Sequence, residues 1–381
     1  MMRPVMRIAV TALCAAVFAW PAAGALAETC PSWLAWEGFR SRFVNDGGRV
    51  IDPSTPSGQT TSEGQAYGLF FALVAGDRRG FDRILHWTED NLAGGDLTAR
   101  LPAWQWGKRN DGSWGVIDSN PASDADLWIA YTLGEAGSLW KEPKYAAMGR
   151  LIAERALREE TTDIPGLGRT LLPGPSGFQP KPGLYRLNPS YMPIQLMRRF
   201  ASLYPQKEWK QLVTTSIDTL VRSAPLGFAP DWILFKANGG FQPDTDSKAM
   251  GGFNAIRTYL WSGMLAENDP ARKVLLKTYA PAARYVVQNG VPPLAVDTRT
   301  GKTDGAGPTG FSAAVAPLLT AMNMREAAQQ QRLRIDAKAP LSRDDNYYEQ
   351  VLVLFDIGWK NGRYRFARDG ALQVPSQCAA H

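Results

Sequence analysis

"SEGQAYGLFFALVAGDRRGFDRILHWTEDNL", residues 62–92, holds two helical patterns of opposite character. Residues 62–76 are apolar almost all round, as expected of a helix buried on every side. Residues 79–92 carry apolar side chains at helical spacing with charges between them, as expected of a helix with one wet face. The same alternation runs on. "SDADLWIAYTLGEAGSLW" (123–140) reads as buried and "PKYAAMGRLIAERALREE" (143–160) as amphipathic. Further helical patterns cover residues 30–44, 188–205, 207–224, 254–267, 271–288, 309–322 and 346–362, which predicts eleven or twelve helices. An inner ring of buried helices inside an outer ring of one-sided ones produces this alternation. A solenoid of helix pairs is the competing architecture. No motif recurs from pair to pair, and loops 101–123 and 225–252 are long and rich in Trp, Gly and Asp, as loops that build a site are. Strand signals are few: "TLLPG" and "GLYRLN" suggest a hairpin within 169–188, and "RYRFA" (363–367) another strand.

The chain has 381 residues and no Pro/Ser-rich divider, so one domain is expected over 28–381. Residues 1–27 read as a secretory signal peptide: Arg3 and Arg7, an apolar core too short to span a bilayer, and Ala25 to Ala27 before a cleavage point. Cleavage after Ala27 places the mature protein in the periplasm or outside the cell, with no membrane insertion. Losing Arg3 and Arg7 takes the net charge from +6 to +4, and no basic block remains, which argues against nucleic acid. Cys30 and Cys378 stay near opposite ends of the mature chain. In an oxidising compartment they pair if the termini are adjacent; two free thiols are the alternative. With His86 and His381 the only histidines, a zinc site or a histidine-based triad is not expected.

Three segments carry candidate chemistry. Glu63 opens the apolar helix of 62–76. It reads as a first-turn acid favoured by the helix dipole, or as a carboxyl with a raised pKa suited to proton donation, with small neighbours Gly64, Ala66 and Gly68 leaving room for a ligand. Asp124 and Asp126 open the next buried helix, as cap and first-turn acid or as site acids. Five tryptophans lie within residues 101–140, and Trp in a Gly/Asn/Asp loop suits the apolar faces of sugar rings. The third segment is "GGFNAIRTYLW" (251–261). Asn254 there reads locally as a helix cap.

The stretch "ASDADLWIAYTLGEAGSLW" (122–140) resembles the signature of glycoside hydrolase family 8, matching at Ala122 to Asp126, Ile129–Ala130, Ala136 and Trp140, with Thr132 where Ser or Ala is usual. "TSEGQAYGLFFAL", "NPSYMPIQLMRRF", "FAPDWILF" and "AIRTYLWSGM" resemble the endoglucanases of bacterial cellulose-synthesis systems. The resemblance spans about residues 30–365. It implies an (α/α)6 barrel, endo-hydrolysis of β-1,4-glucan (cellulose) with inversion, no cofactor, and an association with the cellulose synthase machinery. It also implies Glu63 as general acid and Asp124 as the residue that positions and distorts the sugar. Asp126, Trp114, Tyr191 and Arg257 become substrate-binding candidates. The family's general base is an Asp, and here Asn254 holds that place; an amide accepts no proton at neutral pH. Asp231, Asp244 and Asp246 are the nearby acids that could replace it. A weakly catalytic glucan-binding protein is the alternative outcome, and chitosan, mixed-linkage glucan or xylan the alternative substrates.

Overall fold

A computed structural model describes residues 30, 32–55, 57–338 and 346–375. Residues 1–29, including the expected signal segment, and Cys378 lie outside these. Among the described residues there are twelve α-helices: α1 (Leu34–Phe43), α2 (Ser62–Ala75), α3 (Arg78–Leu92), α4 (Ser123–Leu139), α5 (Pro143–Glu159), α6 (Ile194–Leu203), α7 (Lys207–Arg222), α8 (Ala255–Gly263), α9 (Arg272–Asn289), α10 (Thr309–Ala321), α11 (Arg325–Lys338) and α12 (Tyr347–Lys360). Helices α2, α4, α6, α8, α10 and α12 pack on one another in sequence, all of them largely apolar except the one-sided α6. The ring closes where Phe70 and Phe71 of α2 meet Phe355 of α12, with ring centroids 5.6 and 4.7 Å apart. Helices α3, α5, α7, α9, α11 and α1 each back one inner helix from outside. This is the (α/α)6 barrel.

The α2–α3 pair shows how sequence sets the design. Thr61 caps α2 by accepting from Gly64 N at 3.2 Å. Gly76 ends it in the left-handed region at φ 69°, which an L side chain resists, and Asp77 caps α3 by accepting from Gly80 N at 2.9 Å. A two-residue turn thus folds the outer helix back onto the inner one. At the barrel axis Trp128 packs edge-on or tilted against Phe70, Trp261 and Phe355, with Trp128–Trp261 at 5.3 Å, and Trp261–Phe355 is edge-on at 5.1 Å. Each such pair adds about 0.5–1.5 kcal/mol beyond its burial. Gly263 allows α8 to approach α10: a Cβ there would lie 2.3 Å from Leu318 N.

Two expectations need correction. The segments "TLLPG" and "GLYRLN" do not pair with each other. Gly168–Leu171 pairs with Thr161–Ile164, and Leu184–Leu187 with Ile233–Lys236, which pairs in turn with Gly240–Pro243. Close turns and a small apolar cluster of Ile164, Leu187, Ile233 and Phe235 select these partners. Helix α11 was absent from the helical series because it lacks an apolar stripe. Ala328 and Ile335 still reach the core, and polar contacts add to them: Arg332 donates to Asp356 at 2.7 Å, Arg334 to Ser312 Oγ at 2.7 Å, and Ser312 to Gln331 at 2.7 Å. The expected strand at 363–367 is present as Arg365–Phe366, paired with Leu372–Gln373.

Turns from inner to outer helices are short, whereas the outer-to-inner connections are long: residues 93–122, 160–193 and 223–254. The long loops therefore gather at the N-terminal ends of the inner helices.

Candidate active site

That rim brings the sequence-predicted residues together. Glu63 stands in the first turn of α2 and Asp124 in the first turn of α4. Tyr191 ends the 3₁₀ turn Pro189–Tyr191 ahead of α6, and Asn254 and Arg257 begin α8. Arg257 is the hub. Its Nη1 donates to Asp124 Oδ2 at 2.8 Å and to Tyr67 OH at 3.1 Å, and its Nη2 to Ser190 Oγ at 3.0 Å and Asn254 Oδ1 at 2.9 Å. Its guanidinium also lies over the Tyr191 ring, 5.5 Å from the centroid. One buried cation thus ties α2, α4, the 3₁₀ turn and α8 into a single constellation. Removing it would leave Asp124 buried and unpaired, which costs about 3–5 kcal/mol.

Glu63 and Asp124 have different surroundings. Burial pushes the Glu63 carboxyl up to about 7, and the Asp124 carboxylate adds to the shift, with Arg257 opposing it. Trp104 Nε1 donates to Glu63 Oε1 at 3.3 Å, while Oε2 has no partner. Burial also raises Asp124, but its ion pair with Arg257 and the N–H of Ala125 at 2.9 Å favour the ionised form. Two carboxyls with environments pushed apart supply a proton donor beside a fixed negative charge.

Asn254 is not the cap of α8. Its side chain makes no capping bond. Asp231 does that work from a distance: its Oδ1 accepts from Gly252 N at 2.9 Å, Asn254 N at 2.9 Å and Ala255 N at 2.7 Å. The Asn254 side-chain oxygen accepts from Arg257 Nη2 and from Asn188 Nδ2 at 3.3 Å. Two donors on that oxygen fix the orientation of the amide, so its nitrogen takes the other direction. A donor then stands where water activation needs an acceptor. Of the nearby acids, Asp244 is buried and paired with Arg186 at 2.9 Å, and Asp246 is exposed. Asp231→Ala is expected to cost about 1–2 kcal/mol of stability in urea unfolding, and Asp231→Asn, which keeps the capping oxygen, less than half of that. Equal stability of Asp231→Ala and wild type would rule out the capping role.

Aromatic side chains flank the constellation. Trp114, 50% exposed, stacks on Trp106 at 5.4 Å, with the Arg49 guanidinium over both rings. On the other flank Trp232 stacks on Phe178 at 5.9 Å, beneath Arg186 and beside Tyr191. Asp126 is not brought into this group: it is fully buried in the first turn of α4. Sequence reasoning did not single out Asn188, Ser190 and Trp232, nor the cap by Asp231. "FAPDWILF" carried two of these, yet nothing in its local pattern shows that Asp231 caps a helix more than twenty residues away.

Among the described residues no helix is long and apolar enough to cross a membrane, and no group of His, Cys, Asp and Glu is arranged for a metal ion. Cys30 is disulfide-bonded.

A rim of carboxyls and flat aromatic rings on an (α/α)6 barrel agrees with comparisons to known proteins. The chain is 45% identical over 341 residues to an endoglucanase of Escherichia coli O157:H7, covering 90% of each chain. It superposes on an endo-1,4-D-glucanase from Vibrio fischeri ES114 with a TM-score of 0.87 and 43% identity, covering 90% of this chain and 99% of that one. An endo-β-1,4-glucanase from Acetobacter xylinum gives a TM-score of 0.71 at 26% identity, over 87% of this chain and 98% of that one. With the pattern of the glycosyl hydrolases family 8 matching residues 2–362, the chain belongs to that family.

Proposed function

We propose that the protein is an endo-acting β-1,4-glucan hydrolase with Glu63 as its proton donor and cellulose as its polymer. The observation that carries this reading is the setting of Glu63: a buried carboxyl in the first turn of α2, which burial raises to about 7, beside the Asp124–Arg257 ion pair. In an inverting hydrolysis such a carboxyl protonates the leaving glycosidic oxygen while water attacks the opposite face of the sugar. Asp124 fits the role of holding the sugar at the cleavage point. Trp114 and Tyr191 fit that of binding its rings along the cleft.

The base step is where this chain departs from that scheme. Asn254 activates no water, so turnover falls well below what the rest of the site would support. The fixed amide favours a second reading, a glucan-binding protein with residual hydrolysis. The signal-like segment 1–27 supports work in the periplasm or outside the cell. The relatives' endoglucanase activity and the resemblance to cellulose-synthesis enzymes support trimming of glucan near a cellulose synthase.

The test pairs calorimetric binding of cellohexaose with reducing-end counts on carboxymethyl-cellulose, chitosan, mixed-linkage glucan and xylan. Micromolar to low-millimolar binding with slow release of ends from the cellulose derivative alone is expected. Binding without any release would overturn the hydrolase reading and leave a glucan-binding protein. Preference for another polymer would overturn the substrate assignment.

A further inference from the structure

Asp126 and Glu160 have no place in the mechanism above, yet both are fully buried. Asp126 lies in the first turn of α4, two residues after Asp124, and Glu160 is the residue that closes α5. The two carboxyls face each other closely enough to interact directly. No N–H or O–H elsewhere in the described chain donates to any of their four oxygens. The charged groups facing them are acids: Asp124 on α4, Glu63 on α2 and Glu159 on α5. Glu159 is engaged by Arg155 at 2.7 Å and Arg158 at 3.0 Å. Arg169, on the adjacent strand, donates to Asp163 and to the Leu157 carbonyl. Among the described residues no cation is therefore paired with either member.

Two carboxyls in contact, out of water and without a cation, cannot both be ionised. A hydrogen bond between them also requires a proton, because a carboxylate only accepts. We propose that Asp126 and Glu160 form a proton-locked latch: a proton held between them ties the first turn of α4, and with it Asp124, to the end of α5. Asp126 and Glu160 are then positioning residues that act through Asp124, and this part rests on the reading of Asp124 as the sugar-holding acid. Burial raises both carboxyls well above their ordinary values, in agreement with retention of the proton at neutral pH. Folding takes up a proton that the unfolded chain has released. The latch's contribution to stability is complete below the ordinary carboxyl range and is lost as pH rises through the pair's own titration.

The experiment uses the Glu63→Gln protein, which removes the other carboxyl that titrates near neutrality, with and without Asp126→Asn. An amide at 126 donates to the Glu160 carboxylate without needing a proton, so the tie persists at any pH. Urea unfolding at pH 6, 7, 8 and 9 should show folding coupled to about one more proton in the parent than in Asp126→Asn. Parallel pH dependence of the two would overturn the proposal. The infrared C=O band of a protonated carboxyl should persist at pH 8 in the parent and weaken in Asp126→Asn; its absence from the parent would equally overturn it. Cellohexaose affinity should fall with rising pH in the parent, by up to about tenfold per pH unit beyond the pair's midpoint, and stay flatter in Asp126→Asn. The same fall in both would remove the link to Asp124. The unfolding and infrared measurements need no glucan, so failure of cellohexaose to bind at all would count against the functional reading and leave the latch tested.

Discussion

Asn254→Asp is expected to raise kcat on carboxymethyl-cellulose by about 10²–10³, within the usual range for a general base. The substitution changes one NH₂ for an oxygen and leaves the volume nearly unchanged. One carboxylate oxygen would keep the bonds from Arg257 Nη2 and Asn188 Nδ2 that now fix the amide. The other would replace the amide nitrogen with an acceptor, which is what activation of water requires. The new charge adjoins Arg257, a guanidinium that remains protonated between two carboxylates. KM should change little, because the substituted group acts on the water rather than on the sugar. Reducing ends counted at pH 6 decide the matter. An unchanged rate would mean that water is activated from elsewhere. Asp231→Asn in the otherwise wild-type chain would then test the capping acid, since that variant keeps its helix-capping oxygen and loses its basicity.

Glu63→Gln is expected to reduce kcat by about 10²–10⁴ on cellulose derivatives, measured in the Asn254→Asp background where the signal is largest. Gln is isosteric, and its oxygen still accepts from Trp104, so the loss reports the missing proton. A dinitrophenyl cellobioside, whose leaving group departs without protonation, should lose far less. Equal losses on both substrates would take the donor role from Glu63. The pH profile gives the same assignment a second check. The donor must be protonated, so kcat/KM should decline above about pH 7, where Glu63 ionises. Stability follows with a stated sign. The folded carboxyl retains its proton up to about 7 whereas an unfolded glutamate releases it near its ordinary value of 4.5, so stability is lost as pH rises across that interval. Glu63→Gln should accordingly melt on the order of 1–3 °C above the parent at pH 8 and level with it at pH 4.

The alternation of apolar and one-sided helices made the two rings legible, because burial on all sides and burial on one side leave different traces in a sequence. Helix α11 left no such trace. Arg332, Arg334 and Gln331 hold it by polar contacts whose partners lie on α10 and α12 or in the loop ahead of α10. The family-like segments pointed to Glu63, Asp124, Tyr191, Asn254 and Arg257, and the fold collects all five at one rim. Local pattern could not show what each polar group faces. Asn254 had the sequence of a cap and Asp231 the bonds of one. Asp126 stood near Asp124 in the same motif, yet two helical positions turn its carboxyl away from the cleft and toward Glu160. Side-chain direction changes by about 100° per residue on a helix, so neighbouring acids in one motif need not share a task.

The two rims of the barrel differ in a way that matters for handling the protein. Inner helices pass to outer ones through turns as short as residues 76–77 and 140–142, while every group discussed in the cleft stands at the far ends of those helices. Lys141 lies in the second of these turns, exposed to solvent. A thiol introduced by Lys141→Cys would give a chemical handle about the length of a helix away from the substrate. α4, with its 17 residues, sets that span at about 25 Å. Protein tethered to a bead or sensor chip through that point would present its glucan cleft outward, toward the polymer in the flowing liquid.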